Sequence, residues 1–211
     1  MGLESANDFV RNVCINKGLK RSVFERAVKI IQDSGAHVVG HVLFKPPFLT
    51  ESEAITDAKT TIDYLDILGV RRIILMACNV KDWTLVGELY RLGLYRPPWL
   101  WSVIETILST PKSVQNKLLI YGFKCGLPMT AISSNCNNCD RIIIDRLNKF
   151  SGTSQIEHLY TAINTTCSCR NSWENECISD QSQALVMRII AYCNSVTADI
   201  SSRKYSLQRM I

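Results

Sequence analysis

Apolar positions along the first 125 residues follow two alternating periods. Short β-branched runs at 37–44 (HVVGHVLF), 70–78 (VRRIILMAC) and 118–123 (LLIYGF) read as strands. Between them the apolar residues recur at helical spacing. Phe24, Ala27, Val28 and Ile31 share one face, with Gly35 placed to end that helix. Ala54, Ala58, Ile62 and Leu65 share another, with Gly69 at its end. The stretch WLWSVIETIL predicts a further helix before the third strand. Two helix starts carry capping boxes, Ser22 with Glu25 and Thr50 with Glu53. Ser5 with Asp8 makes a weaker one before FVRNVCI. Strands alternating with helices imply an α/β fold with a parallel sheet and right-handed crossovers. Functional loops in such folds leave the C-terminal ends of the strands. Here those loops begin at KPPFLTE, NVKDW and KCGLP.

The alternation stops near Gly126, where Asn, Ser and Cys become common. The expected division is therefore an α/β part over residues 1–126 and a cysteine-bearing, mostly helical module over 127–211. SQALVMRIIAYCNSV is the module's last helix, followed by a frayed tail from Ser201. The opening MGLES reads as the end of a strand running into a helix, as though the chain began inside a domain. A strand so short would leave a sheet edge open.

Composition narrows the class without choosing a chemistry. Of 211 residues, 46% are hydrophobic and 20% charged, which is globular and not disordered. The formal charge of +5 permits a nucleic-acid partner but falls short of a clustered basic face. No basic and apolar leader opens the sequence, and no apolar run reaches membrane-spanning length, so the expected compartment is the reducing cytoplasm. Nine cysteines, an odd number, suit a complete disulfide framework poorly.

Four of those cysteines are grouped: Cys136 and Cys139 in NCNNCD, Cys167 and Cys169 in TTCSC. Zinc takes four soft or borderline ligands in a tetrahedron, and two close pairs supply them at little cost in chain entropy. An iron–sulfur cluster fits less well, because the spacing matches none of the common ferredoxin runs. Four incidental thiols are the plain alternative, and Cys177 can stand in as a ligand. Cys14, Cys78, Cys125 and Cys193 read as core or surface thiols, and His37, His41 and His158 match no metal spacing. In YRPPWLWS, Arg96, Trp99 and Trp101 form either a platform for a nucleobase or a plug for one end of a barrel. In FKPPFLTE, Lys45 sits on the functional side and can meet a carboxylate or phosphate; otherwise the stretch is a rigid turn into the Thr50 cap. There is no nucleophile elbow, phosphate loop or paired-histidine zinc helix.

Taken together these stretches resemble a known family. GLES followed by INKG is similar to the segment ending the fourth strand of the radical SAM barrel in the Elp3/MiaB-like group. HVLFKPPFLTESEAI, CNVKDWTLVGELYRLGLYRPPWLWSVIE and NCNNCD with CSCRNSW resemble, more narrowly, the radical SAM family of archaeosine biosynthesis. The resemblance covers roughly residues 2–173. It implies a partial (β/α) radical SAM-type barrel with the cysteine module appended. It also implies an activity on tRNA: cleavage of a C–N bond in a lysine-modified 7-deazaguanine, leaving the formamidine of archaeosine. S-adenosyl-L-methionine and a [4Fe–4S] cluster are implied with it. By the resemblance, Glu4, Ser5, Lys17 and Asn79 line the S-adenosylmethionine pocket. Lys45, Arg96, Trp99 and Trp101 face or shape the substrate side. Cys136, Cys139, Cys167 and Cys169 hold a structural zinc.

The family's cluster is held by a C-x-x-x-C-x-x-C motif, which this sequence lacks. The expectation is the C-terminal half of such an enzyme, from a truncated, split or mis-started gene, inactive alone and completed by an N-terminal half on another chain. The competing expectation is a non-catalytic zinc-bearing tRNA-binding module or gene remnant.

Overall fold

A computed structural model describes residues 1–122, 128–179 and 183–208, with side chains to residue 198. Four parallel strands lie in chain order: β1 (Gly2–Glu4), β2 (Val39–Phe44), β3 (Arg72–Ala77) and β4 (Leu118–Tyr121). Each lies within or at the edge of an expected run. Helices α1 (Arg21–Asp33), α2 (Glu51–Ile67), α3 (Leu85–Arg91), α4 (Leu100–Leu108) and α5 (Lys112–Gln115) fall between them. Then follow α6 (Asp140–Thr153), α7 (Glu157–Ile163), α8 (Cys169–Ser179) and α9 (Leu185–Gln208). The tail expected to fray continues α9 as far as Gln208. The KCGLP loop, Cys125 and the 126/127 boundary fall at or beside positions outside the described residues.

Strand alternation sorts the sheet into two faces. Leu3, Val42, Phe44, Ile73, Leu75, Leu118 and Ile120 are buried on one, where α2 packs on β2 and α4, and α6 packs on β4. His41, Leu43, Ile74, Met76 and Tyr121 lie on the other and keep part of their surface exposed. One hydrophobic core runs from the sheet through α4 into the cysteine-bearing segment, so that Ile143, Leu147, Phe150, Leu159 and Trp173 share it with Leu75 and Trp101.

The Thr50 capping box forms: its hydroxyl accepts from Glu53 N, and the Glu53 carboxylate accepts from Thr50 N at 2.9 Å. The Ser22 box does not. Lys20 is the N-cap and Ser22 lies inside the first turn, while Glu25 accepts a 2.5 Å hydrogen bond from the Tyr64 hydroxyl of α2. A helix–helix contact has taken the carboxylate the cap would have used. The weaker Ser5 box is replaced as well. Asn7 Oδ1 accepts from the N–H groups of Phe9 and Val10, starting one π-helical turn (Val10–Cys14), and Ser5 turns to Asp57. Gly35 and Gly69 end their helices in the left-handed conformation expected of them, at φ +80° and +68°.

Candidate functional site

The Cys136–Cys139 loop is set by Asp140, the first residue of α6, whose carboxylate accepts from the backbone N–H groups of Asn135 (2.6 Å) and Cys136 (3.0 Å). That fold-back turns both thiols to one side. Cys167 arrives from the turn between α7 and α8, and Cys169 is the first residue of α8. The sulfur separations are 3.5 Å for Cys136–Cys139, 3.4 Å for Cys136–Cys167, 3.6 Å for Cys139–Cys169 and 3.4 Å for Cys167–Cys169. All four sulfurs lie within 4.8 Å of one another. A tetrahedral ion with Zn–S bonds of about 2.3 Å spaces its ligands by roughly 3.8 Å. The four thiols are thus close enough to hold one metal ion. Cys177 lies outside this group.

The surrounding hydrogen bonds suit thiolates. The Trp101 indole N–H points at Cys169 Sγ at 3.4 Å, and Asn135 Nδ2 points at Cys139 Sγ at 3.7 Å. Burial works against ionising Cys136, but the backbone N–H of Cys139 and the neighbouring thiols outweigh it and bring that group down to about 7. Burial, then the adjacent thiols, pushes Cys139 well up, and burial takes Cys169 to about 11 against the opposing Trp101 N–H. Four thiols this close cannot all ionise unless a cation compensates them.

A buried polar network joins this module to the strand ends. Glu51 has no exposed surface. Its Oε1 accepts from Lys45 Nζ at 2.6 Å and from Trp99 N at 3.3 Å, and its Oε2 accepts from Ser102 Oγ at 2.5 Å. Ser102 Oγ in turn accepts from the Trp173 indole N–H of α8 at 2.8 Å. Tyr95 ties two strand ends together, donating to the carbonyls of Lys45 and Cys78. On α9, Arg188 donates to the Phe48 carbonyl and pairs with Glu53.

The residues expected to bind ligands have definite partners. Lys45 is buried in its ion pair with Glu51, with a backbone φ of +56°. Of the carboxylate or phosphate that the sequence allowed Lys45 to meet, the fold itself supplies a carboxylate. Trp101 is fully buried and Trp99 nearly so, with Trp99 Nε1 donating to Glu176 at 2.7 Å. Neither indole presents a face on which a base can stack; both pack as core. Arg96 lies 3.7 Å over the Trp99 ring and donates to the Ser134 carbonyl. With Lys45, Glu176 and Arg188 it lines a depression of about 350 Å³. Glu4, at φ +69°, is the last residue of β1 and meets Lys17 at 2.8 Å. Ser5 is buried, with its hydroxyl on Asp57 Oδ1 at 2.6 Å. Asn79 clamps the end of β3 to two later segments, donating to the Gly122 carbonyl and accepting from Ser133 N.

Sequence reasoning missed Glu51, Ser102, Tyr95 and Trp173. Glu51 reads as an ordinary first-turn acid after the Thr50 cap, and nothing in the spacing shows that it meets Lys45. Trp173, four residues after Cys169, carried the one usable signal.

No protein-family model matches the chain. An archaeosine synthase subunit beta from Methanosarcina acetivorans is 34% identical over 82% of this chain and 49% of its own length. One from Thermococcus kodakarensis is 33% identical over 82% of this chain and 52% of its own length. Among solved structures, Methanocaldococcus infernus Elp3 with an N-terminal deletion is 18% identical, with a TM-score of 0.49 over 70% of this chain and 35% of that one. The chain spans about half the length of the curated relatives it matches. It is a homologue of the proteins named archaeosine synthase subunit beta over most of its own length and about half of theirs.

Proposed function

We propose that the chain is part of a radical SAM tRNA-modifying protein that forms archaeosine from a lysine-modified 7-deazaguanine. In this reading it contributes strand–helix units of a (β/α) barrel together with a structural zinc site. The observation that carries the reading is identity of 33–34% over most of the chain with proteins named archaeosine synthase subunit beta. The parallel strand order fits a barrel segment. As a subunit, the chain works with another subunit and with tRNA.

Zinc is favoured at the four cysteines because their spacing suits a single ion. A multi-iron cluster interposes its own iron and sulfide atoms and drives its thiolates apart. Bound there, zinc supplies cross-linking and folding energy to the segment after β4, not chemistry. The C-x-x-x-C-x-x-C motif that holds the family's [4Fe–4S] cluster is absent from these 211 residues. The reading assigns that cluster to residues outside the chain. Glu4 and Lys17 then face S-adenosylmethionine as a carboxylate–ammonium pair. Ser5 holds that loop through Asp57, and Asn79 fixes the neighbouring strand ends. On the substrate side, Arg96 and Lys45 border the 350 Å³ depression, and Trp99 and Trp101 support it from behind.

The test is complementation. The chain alone, supplied with iron, sulfide, S-adenosylmethionine and dithionite, is expected to yield no 5′-deoxyadenosine above background. Adding the N-terminal half of a close relative should restore cleavage and produce archaeosine in tRNA carrying the lysine adduct. Turnover by the chain alone refutes the half-enzyme reading. A second reading, a non-catalytic zinc-bearing tRNA-binding module, is favoured by the completeness of the cysteine group and its polar network within this chain. Zinc and tRNA binding with no complementation by any N-terminal half would select it.

A further inference from the structure

The segment 96–102 touches both cysteine loops. From the first loop, the Ser134 carbonyl accepts from Arg96 at 3.0 Å, and Asn135 Oδ1 accepts from the Trp101 backbone N–H at 3.2 Å. The same Asn135 turns its Nδ2 toward Cys139 Sγ at 3.7 Å. From the second loop, the contacts come along one face of α8, where Cys169, Trp173 and Glu176 stand at i, i+4 and i+7. Cys169 Sγ accepts from the Trp101 indole at 3.4 Å, and the Trp173 indole donates to Ser102 Oγ at 2.8 Å. Glu176 Oε2 accepts from the Trp99 indole at 2.7 Å. Residues 96–102 are thus gripped from two sides, by one arm carrying Cys136 and Cys139 and another carrying Cys167 and Cys169.

The two arms meet through sulfur. Cys136 faces Cys167 at 3.4 Å, and Cys139 faces Cys169 at 3.6 Å. Thiols are weak donors and weak acceptors, so these contacts alone draw the arms together feebly. As thiolates the sulfurs repel. A cation among the four turns the contact into a cross-link. The helices behind the arms need no such help, since Ile143, Leu147 and Phe150 of α6 and Leu159 of α7 sit in the hydrophobic core. What a metal governs here is the closure of the arms on 96–102. That segment leads on to the strand ends: Trp99 N and Ser102 Oγ hold Glu51, and Glu51 holds Lys45. Arg96, Glu176 and Lys45 line the depression of about 350 Å³.

We propose that a metal at the four cysteines closes the two arms as a clamp on 96–102, which makes Asn135, Trp173 and Glu176 positioning residues for the strand-end depression. This rests on reading the four cysteines as a zinc site. The first measurement is zinc affinity, by competition with a chromophoric chelator, for wild type, Trp173→Phe, Glu176→Ala and Ile73→Val. Ile73→Val is a sheet-core change of comparable cost that touches neither arm. The second is amide exchange in wild type with and without zinc, read residue by residue by NMR. Trp173→Phe and Glu176→Ala are each expected to weaken zinc binding about fivefold, the worth of one hydrogen bond carried through to the metal, and Ile73→Val to leave it unchanged. Removing zinc should speed exchange of the Trp101 amide, whose acceptor is Asn135, by about tenfold or more. The Leu75 amide, in a strand paired on both sides, should not respond. Equal zinc affinity in wild type and both α8 variants, or Trp101 exchange that zinc does not move, overturns the clamp and leaves the metal site standing. An equal loss from Ile73→Val, or faster exchange at Leu75 and Trp101 alike, overturns it too, because the metal would then support the whole fold. A chain that binds no zinc removes the metal reading and this inference together.

Discussion

Replacing Glu51 tests the network that joins the strand ends to the cysteine segment. The carboxylate is fully buried and satisfies Lys45 Nζ at 2.6 Å, Ser102 Oγ at 2.5 Å and Trp99 N at 3.3 Å. Glu51→Ala leaves the Lys45 ammonium, itself 5% exposed, without a counter-charge. Removing one partner of a buried ion pair costs about 3–5 kcal/mol. At roughly 2–4 °C per kcal/mol for a chain of this size, the melting temperature should fall by about 10 °C. Glu51→Gln keeps an oxygen for Lys45 and Trp99 but loses the charge and turns a donor toward Ser102. A loss of about 1.5–3 kcal/mol is expected, the range for hydrogen bonds to a charged group. Lys45→Met with Glu51→Leu removes both charges and should be much milder than the sum of the single changes. Urea unfolding followed by the buried tryptophans gives all four values. A cost below about 1 kcal/mol for Glu51→Ala would falsify the network as a source of stability.

Further outcomes follow from the same geometry. Purified protein should carry about one zinc per chain, with Cys136→Ser and Cys167→Ser losing it; equal zinc in all three proteins removes the metal assignment. Trp101→Phe deletes the N–H directed at Cys169 but keeps the packing, so zinc should remain bound with affinity reduced by about tenfold or more, read by competition with a chelator. Asp57 is held up to about 6, chiefly by burial and against the Ser5 hydrogen bond, with Oδ2 unpartnered. Its folded pKa exceeds the unfolded value of about 3.9, so its contribution is fully present below pH ~4 and is lost as pH rises through ~6. The urea midpoint of wild type should therefore fall relative to Asp57→Asn across that window, and parallel curves would sink the assignment. Binding to tRNA should weaken steeply with salt. Arg96→Ala should reduce it more for tRNA than for a random duplex, and equal losses would return Arg96 to a structural role.

The order of elements was legible in the local pattern. Alternation of period placed β2, β3 and β4, and the Thr50–Glu53 box and the glycines after α1 and α2 marked boundaries, because caps and left-handed turns are satisfied by residues a few positions apart. The two cysteine pairs were legible for the same reason: each is a short-range motif. What the tertiary structure decided is where side chains go when their partners lie far along the chain. Glu25 left its cap for Tyr64, 39 residues on. Lys45, which the sequence showed only as able to meet a carboxylate or phosphate, is neutralised by Glu51, whose other contacts come from residues 48 and 51 positions away. Trp99 and Trp101, which the sequence left as either a stacking platform or a plug, are core because α8 and the cysteine loops close over them, while Trp83 in the next loop upstream stays in solvent three residues after the Val80–Ala131 bridge. Spacing records hydrophobicity and local hydrogen-bonding capacity. Burial depends on which distant segment arrives to cover a residue, and that is settled only when the chain has packed.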